Sequence, residues 1–247
     1  MPSNPHLFNQ HRKLKNKSWS IVKHNIEEII QYIIDSYLYM LSQKPKISLS
    51  EIKETTTYKF EDYLSGKLVD EYLITRKGEH FSELLLSQLI FTKQSSENYI
   101  DHSSKLSQPD LIDIYITNLQ LDKYLSSSPQ PYFAIECKRI RNSGSFDDYL
   151  SDIKKFTNRE YSRARLLYEG QIAFIENPNY PPNFVVEKLN EKLQTNQSIS
   201  TIQTLSSKVI HEGFDGSYYS KHLKNFGEKN VFGIYHLMFD YTKIVVD

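Results

Sequence analysis

The chain has 247 residues, and its 30 lysine and arginine residues balance its 30 aspartate and glutamate residues, so its formal net charge at pH 7 is zero. This balance argues against a protein that simply coats nucleic acid, and the absence of an apolar run of about 18 residues argues against a membrane span. With 39% hydrophobic and 13% aromatic residues, the sequence has enough apolar material for a substantial core.

The cysteine content and the first residues of the sequence both bear on the compartment. The single cysteine, Cys137, cannot form a disulfide within the chain. The first residues contain no hydrophobic segment of the kind that a secretory signal requires. A reducing compartment is the simplest setting for such a chain, so we expect the cytoplasm and no membrane partner.

The N-terminal third of the sequence has a helical pattern and contains no recognisable chemistry. Isoleucines and leucines recur at steps of three and four across residues 20–42, which predicts a helix that ends before Pro45. A second helical pattern covers residues 49–73 and is interrupted by threonines. We therefore predict a helical extension over residues 1–75 that acts as a cap or as a dimerisation element.

The remainder of the chain alternates between helical and strand patterns. Apolar spacing distinguishes the two kinds of segment, and proline, glycine and polar residues separate them. The predicted elements are a helix over 79–92, strands over 111–116 and 132–140, a helix over 147–168, a strand over 172–175, a helix over 184–193, and strands over 218–222, 231–239 and 244–246. This order predicts an α/β domain over residues 76–247, with a mixed central β-sheet flanked by helices.

Two neighbouring strands of this domain carry charged residues beside apolar ones. Asp113 lies within an Ile-Asp-Ile segment, and Glu136 and Lys138 follow a run of three apolar residues. Alternation along a strand places Glu136 and Lys138 on one face and Cys137 on the other. Because charged residues are rarely buried in a sheet unless they are paired or bind a metal, two acids and one lysine are expected to converge there.

Such a group suits the hydrolysis of phosphodiester bonds. The carboxylates of Asp113 and Glu136, with the peptide carbonyl of Cys137, are the hard oxygen ligands that Mg²⁺ or Mn²⁺ accepts. A metal there would activate a water molecule, and Lys138 could orient that water or stabilise the transition state. The pattern therefore predicts Asp113, Glu136 and Lys138 as catalytic residues. Because the apolar residues of its strand face the other side, loss of the Lys138 charge should leave the fold intact.

These segments resemble the PD-(D/E)XK nuclease superfamily, which has the restriction-endonuclease-like fold. The resemblance consists of Pro-Asp at residues 109–110, a hydrophobic strand, a loop, and an apolar-Glu-x-Lys segment at residues 135–138. It covers residues 79–175, and it implies that the first acid and the glutamate bind metal while the lysine is catalytic. The Glu-Cys-Lys-Arg segment also resembles the site strand of defence-type nucleases, which implies a role in restriction or anti-phage defence.

The resemblance leaves two assignments open. The Pro-Asp dipeptide points to Asp110 as the first metal ligand, whereas the position within the strand favours Asp113. Many members of the superfamily also use a glutamate from the preceding helix. That implies Glu79 or Glu83 as a further metal ligand, and the place of Glu79 directly after Gly78 favours Glu79.

The resemblance also implies partners and a cofactor. Nucleic acid is the expected substrate, with DNA favoured over RNA, and the expected cofactor is Mg²⁺ or Mn²⁺. A partner subunit from a defence system and a homodimer both stay open, and the alternative function is a non-catalytic subunit that keeps the fold and binds nucleic acid or a partner. The sequence has no P-loop and no metal-binding spacing among its eight histidines, so His222 and His236 are expected to be core or surface residues that meet on paired strands.

Overall fold

A mixed β-sheet between two layers of helices forms the body of the protein. The computed structural model describes residues 16–55, 57, 59–80, 88–102, 104–117, 119, 131–161, 166–226 and 230–246, with the backbone alone at 16–19 and 78–80. The helices are α1 (Asn16–Ser42), α2 (Leu49–Thr55), α3 (Phe60–Lys67), α4 (Thr75–His80), α5 (Ser145–Asn158) and α6 (Pro182–Thr195), with a π-helical segment (Leu68–Ile74) between α3 and α4.

The strands of the described residues are β1 (Ile47–Ser48), β2 (Ile90–Asp101), β3 (Ser107–Thr117), β4 (Phe133–Ile140), β5 (Arg159–Tyr161), β6 (Tyr168–Ile175), β7 (Thr201–Ser207), β8 (Ser217–Leu223), β9 (Val231–Asp240) and β10 (Val245–Val246). Eight of these ten strands form the central sheet, in the order β5-β2-β3-β4-β6-β9-β8-β7. Strands β4, β6 and β9 run parallel at the centre, and the pairs on either side of them are antiparallel. Strands β1 and β10 form a separate parallel pair.

The first core lies between α1 and one face of the sheet. Ile26, Ile30 and Ile33 follow the helical spacing that places their side chains on one side, and they are fully buried in a cluster that includes Ile135 and Ile172 of the sheet. Burial of each such side chain stabilises the fold by about 1.5–3 kcal/mol. The N-terminal helices therefore share the core of the sheet, and the division of the chain at residue 75 stays a prediction.

The second core lies on the opposite face, against α5 and α6. Ile153 and Phe156 of α5 and Leu189 of α6 pack with Ile175 and Ile234 of the central strands. Central strands of this kind are buried on both faces, which explains why their sequences are almost continuously apolar. In the described part of the chain, none of the helices combines the length and the apolar composition that crossing a membrane requires.

The predicted α/β class with a mixed central sheet is confirmed, but two predicted helices are wrong in their extent. The helix predicted over residues 79–92 has its backbone helical as far as His80, and Ile90–Asp101 is a strand. The helix predicted over residues 147–168 ends at Asn158, because the chain continues as β5 and pairs with β2. Both errors concern outer strands: exposed residues obscure the apolar alternation of β2, and β5, with three residues, is too short to show one.

Candidate active site

The candidate site lies where β3 and β4 separate. The two strands pair antiparallel over residues 114–116 and 133–135, and β4 then continues beside β6. At the end of this ladder, Oδ2 of Asp113 accepts a hydrogen bond of 2.7 Å from the backbone amide of Cys137. Asp113 is therefore attached to β4 between two charged residues of that strand, Glu136 and Lys138.

Lys138 connects this strand to helices on both sides. Its Nζ atom lies 2.7 Å from Oε1 of Glu61 on α3 and 3.2 Å from Oδ2 of Asp152 on α5. It also donates a hydrogen bond of 3.1 Å to the carbonyl oxygen of Cys137. The other oxygen of Glu61, Oε2, accepts a hydrogen bond from the amide of Arg139. The ammonium thus lies among oxygen atoms that come from three elements of the fold.

The charge of Lys138 is stabilised by these carboxylates. Burial alone would lower the pKa of Lys138, because it penalises the charged form. The negative charges of Asp152 and Glu61 outweigh burial and raise the pKa above its ordinary value. Lys138 is consequently a cation throughout the neutral range, so it can stabilise negative charge on a substrate but cannot serve as a general base.

Asp113 is in the opposite electrostatic situation. Burial raises the pKa of its carboxyl group to about 6, although the Cys137 amide and the charge of Lys138 act to lower the pKa. The charges of Glu61 and Asp152 also contribute to the raised pKa, although less than burial does. Because an additional cation would favour the ionised carboxylate, Asp113 is suited to bind a metal ion.

Asp110, the other candidate for the first acid, is occupied elsewhere. Its Oδ2 atom accepts hydrogen bonds of 2.5 Å from Nη1 of Arg159 and of 3.0 Å from the hydroxyl of Tyr161. Both partners belong to β5, which lies on the far side of β2 at the edge of the sheet. The structure therefore brings Asp113, and not Asp110, into contact with the Glu136–Lys138 segment.

Glu136 begins a row of buried polar residues that crosses the sheet. It lies opposite Gln171 of β6, which in turn lies opposite His236 of β9. The exposed fraction of Glu136 is 6%, and Gln171 and His236 are fully buried. The side-chain amide of Gln171 donates a hydrogen bond of 2.8 Å to the carbonyl oxygen of Tyr149 on α5. The polar row therefore joins the strand of the site to the helix that carries Asp152.

A chain of hydrogen bonds continues from this row to the edge of the sheet. The hydroxyl of Tyr149 is 2.9 Å from Nδ1 of His236, whose Nε2 is 2.7 Å from Oγ of Ser220. Oγ of Ser220 is 2.8 Å from Nε2 of His222, whose Nδ1 is 3.2 Å from Oγ1 of Thr201 on β7. Burial lowers the pKa of His222 to about 4 and lowers the pKa of His236 as well, so both histidines are neutral core residues.

Sequence reasoning missed Glu61 and Asp152. The alternatives predicted from the preceding helix, Glu79 and Glu83, have side chains outside the described residues. Glu61 had no signal of its own, because an acid in the first turn of a helix is common. Asp152 had one, because it lies three residues after the buried Tyr149, on the apolar face of α5.

The donor atoms of the site are of the kind that suits a hard cation. Carboxylates of Asp113 and Glu136 and the carbonyl of Cys137 are the kinds of oxygen that Mg²⁺ and Mn²⁺ bind. Among the residues that the structure describes, no group of three or more histidine, cysteine, aspartate or glutamate side chains is arranged to hold a metal. Of the predicted donors, Asp113 already accepts a hydrogen bond from the Cys137 amide, and the carbonyl of Cys137 accepts one from Lys138.

Comparison of the chain with protein-family models, with curated proteins and with solved structures found no match. The function therefore has to be inferred from the chemistry and geometry of the site and from the order of the elements around it.

Proposed function

We propose that the chain is a metal-dependent nuclease that hydrolyses phosphodiester bonds, with DNA favoured over RNA. Its catalytic residues are Asp113, Glu136 and Lys138. The observation that carries this proposal is the placement of the Lys138 ammonium: it lies where β3 and β4 separate, between carboxylates of two helices, and next to the strand contact made by Asp113. The two carboxylates fix a partly exposed positive charge at the place where the strands diverge, and a fixed charge of this kind can stabilise the charge that develops on a phosphate.

The order of the elements supports the same proposal. Helices α3 and α4 precede the strands β2, β3 and β4, and α5 and β6 follow them. The PD-(D/E)XK superfamily implies a helix, paired strands, a helix and a further strand, with its acids and lysine on two adjacent strands. We therefore extend the proposal to the restriction-endonuclease-like fold, with the second and third strands of the group, β3 and β4, as the strands that carry the site.

Each residue of the site has a chemical task in this proposal. Asp113, Glu136 and the carbonyl of Cys137 would hold Mg²⁺ or Mn²⁺, and Glu79 stays a candidate for a further ligand. When bound, such a metal supplies positive charge to the scissile phosphate and activates water. Lys138 stabilises the negative charge that develops on the phosphate, because its own charge is fixed in position before the reaction begins.

The proposed setting is restriction or anti-phage defence in the cytoplasm, alone or with a partner subunit. Basic residues lie in the site strand and after it, and some of them are already engaged in ion pairs within the protein. Arg139 is paired with Glu176, and Arg159 is paired with Asp110. Arg141 and Lys154 are exposed and are therefore the residues that we assign to phosphate contacts.

The test is cleavage of plasmid DNA, linear DNA and RNA by the purified protein in Mg²⁺, Mn²⁺ or EDTA. We expect cleavage with either metal and loss of cleavage in EDTA. Glu136→Gln should abolish cleavage, whereas Glu187→Gln, an exposed glutamate on α6, should cleave like the parent protein. Cleavage that survives EDTA would contradict the mechanism, and binding of nucleic acid without cleavage under any condition would support the non-catalytic subunit instead.

A further inference from the structure

We infer that Asp152 is a positioning residue, which holds the Lys138 ammonium in the place from which it acts on the substrate. This inference rests on the proposed function, because it concerns the same lysine. Asp152 belongs to a helix that follows the site strand, and it lies outside the acid-and-lysine pattern by which the site was predicted. Its role is assigned from its burial and from its contacts.

The side chain of Asp152 has no exposed surface, which makes its partners decisive. Oδ1 accepts a hydrogen bond of 2.6 Å from Lys155, three residues further along the same helix. Oδ2 lies 3.2 Å from Nζ of Lys138, on the central sheet. The Lys155 pair is internal to α5, whereas the contact with Lys138 joins the carboxylate of Asp152 to the candidate site. A buried carboxylate without partners would be strongly destabilising.

Two carboxylates from opposite sides define the position of the Lys138 ammonium. Glu61 receives a hydrogen bond from Nζ on the α3 side, at 2.7 Å. Asp152 acts through charge, because within the part of the chain that the structure describes its Oδ2 atom has no partner in hydrogen-bond geometry. A lysine side chain has several rotatable bonds and is easily redirected. Loss of Asp152 would therefore leave Glu61 to draw the ammonium towards α3 and away from the end of β4.

Asp152 is itself held firmly. Tyr149, one turn earlier on α5, contacts His236 through its hydroxyl and Gln171 through its carbonyl. Ile153 and Phe156 bury the same face of the helix in the second core. These contacts fix α5 to the sheet on both sides of Asp152. The Asp152 carboxylate therefore has a defined position from which it can hold the Lys138 ammonium.

The first test compares Asp152→Asn with Asp148→Asn, an exposed aspartate one turn earlier on the same helix. Single-turnover cleavage in Mg²⁺ should slow on the order of a hundredfold for Asp152→Asn, because small misplacements of a catalytic group have effects of that size. DNA binding in Ca²⁺ and the KM should stay at the parent values, and Asp148→Asn should behave like the parent. Cleavage by Asp152→Asn at the parent rate would overturn the inference.

The second test does not require activity. Lysines of the parent and of Asp152→Asn are labelled with an amine-acetylating reagent, and the labelling rates of Lys138 and Lys224 are compared by mass spectrometry. Lys224 is buried against the carbonyl oxygen of Phe156 at the other end of α5. In Asp152→Asn we expect Lys138 to be labelled faster than in the parent, and Lys224 to be labelled at the parent rate.

Equal acceleration of labelling at both lysines would show that Asp152 only stabilises the fold. Unchanged labelling of Lys138 would show that Asp152 does not hold its ammonium in place. If the parent protein cleaves nothing, the nuclease proposal fails, and the labelling result still decides the role of Asp152.

Discussion

Lys138 pairs with acids that lie far apart in the sequence, Glu61 on α3 and Asp152 on α5. The expectation that removal of its charge would leave the fold intact did not take these ion pairs into account. Without Lys138, the fully buried carboxylate of Asp152 keeps Lys155 as its partner and loses the cation on the sheet. A lysine in this position contributes to stability as well as to the proposed chemistry.

Lys138→Ala should therefore lose both cleavage and stability. Loss of one of its two cations leaves the buried charge of Asp152 less well compensated, and we expect a loss of up to about 3 kcal/mol in the free energy of unfolding. The double variant Lys138→Ala/Asp152→Asn should regain most of that stability, because the buried charge is gone, but it should regain no cleavage. Urea unfolding and single-turnover cleavage measure the two effects. A single variant as stable as the parent would contradict the paired arrangement.

Glu61 should matter for catalysis although it lies outside the predicted site. Glu61→Gln removes the charge that holds Lys138 from the α3 side, so we expect cleavage to slow by about tenfold or more. Asp62→Asn, the adjacent acid on the same helix, is the matched control and should cleave at the parent rate. Equal losses in the two variants would point to a general effect of charge on α3 instead.

At the scale of elements, the central strands and most of the helices were predictable, and the outer strands were not. Strands β4, β6 and β9 are apolar because both of their faces are buried, and α1 carries a regular apolar stripe. Strand β2, by contrast, exposes much of one face, and β5 has three residues. Such strands form because neighbouring strands pair with them. The residues that make this pairing possible lie in distant parts of the chain, so the local sequence of the strand does not indicate it.

The same distinction applies to the candidate site. Asp113, Glu136 and Lys138 were predicted because each charge interrupts or follows an apolar strand, which is a local signal. Glu61 lies 77 residues from Lys138 and reaches it through the packing of α3 over β3 and β4. The local sequence pattern does not indicate which helix packs over which strand. Glu61 could therefore be identified as a partner of Lys138 only from the three-dimensional structure.

The attachment of α5 to the sheet can be tested at Tyr149. Tyr149→Phe keeps the ring in the core but leaves Nδ1 of His236 without its partner, so we expect the free energy of unfolding to fall by about 1–2 kcal/mol. Tyr180→Phe removes the same group from a partly exposed ring and should cost little. Urea unfolding provides the comparison. Equal stability of Tyr149→Phe and the parent would show that the buried hydrogen bond contributes nothing.

At the scale of the whole molecule, buried neutral histidines should make stability depend on pH. The pKa of His222 is lowered from 6.5 to about 4 in the folded protein. The unfolded chain therefore binds a proton more readily, and stability is lost as the pH falls from about 6.5 towards 4. The loss attributable to His222 alone is on the order of 3 kcal/mol.

Urea unfolding of the parent and of His222→Gln at about pH 7.5 and about pH 5 tests this dependence. We expect the variant to lose less stability between the two conditions than the parent does. Asp113 acts in the opposite direction, because its raised pKa adds stability as the pH falls through about 6. Both proteins contain Asp113, so the difference between them isolates the histidine. The same pH response in both proteins would refute the assignment.

The hydrogen bonds from Tyr149 to Thr201 form a one-dimensional array whose protons can be ordered in two ways. A neutral imidazole has one donor and one acceptor nitrogen, and a serine hydroxyl donates a single proton. When Ser220 donates to His222, the order runs outwards from Tyr149 and ends with His222 donating to Thr201; when Ser220 donates to His236, every bond is reversed. In both of these orders the two histidines carry opposite tautomers. A group that binds at Thr201 on the outer strand would select one of the two proton orders. A change of order would also reverse the hydrogen bond of Tyr149, on the helix that carries Asp152, without displacement of a heavy atom.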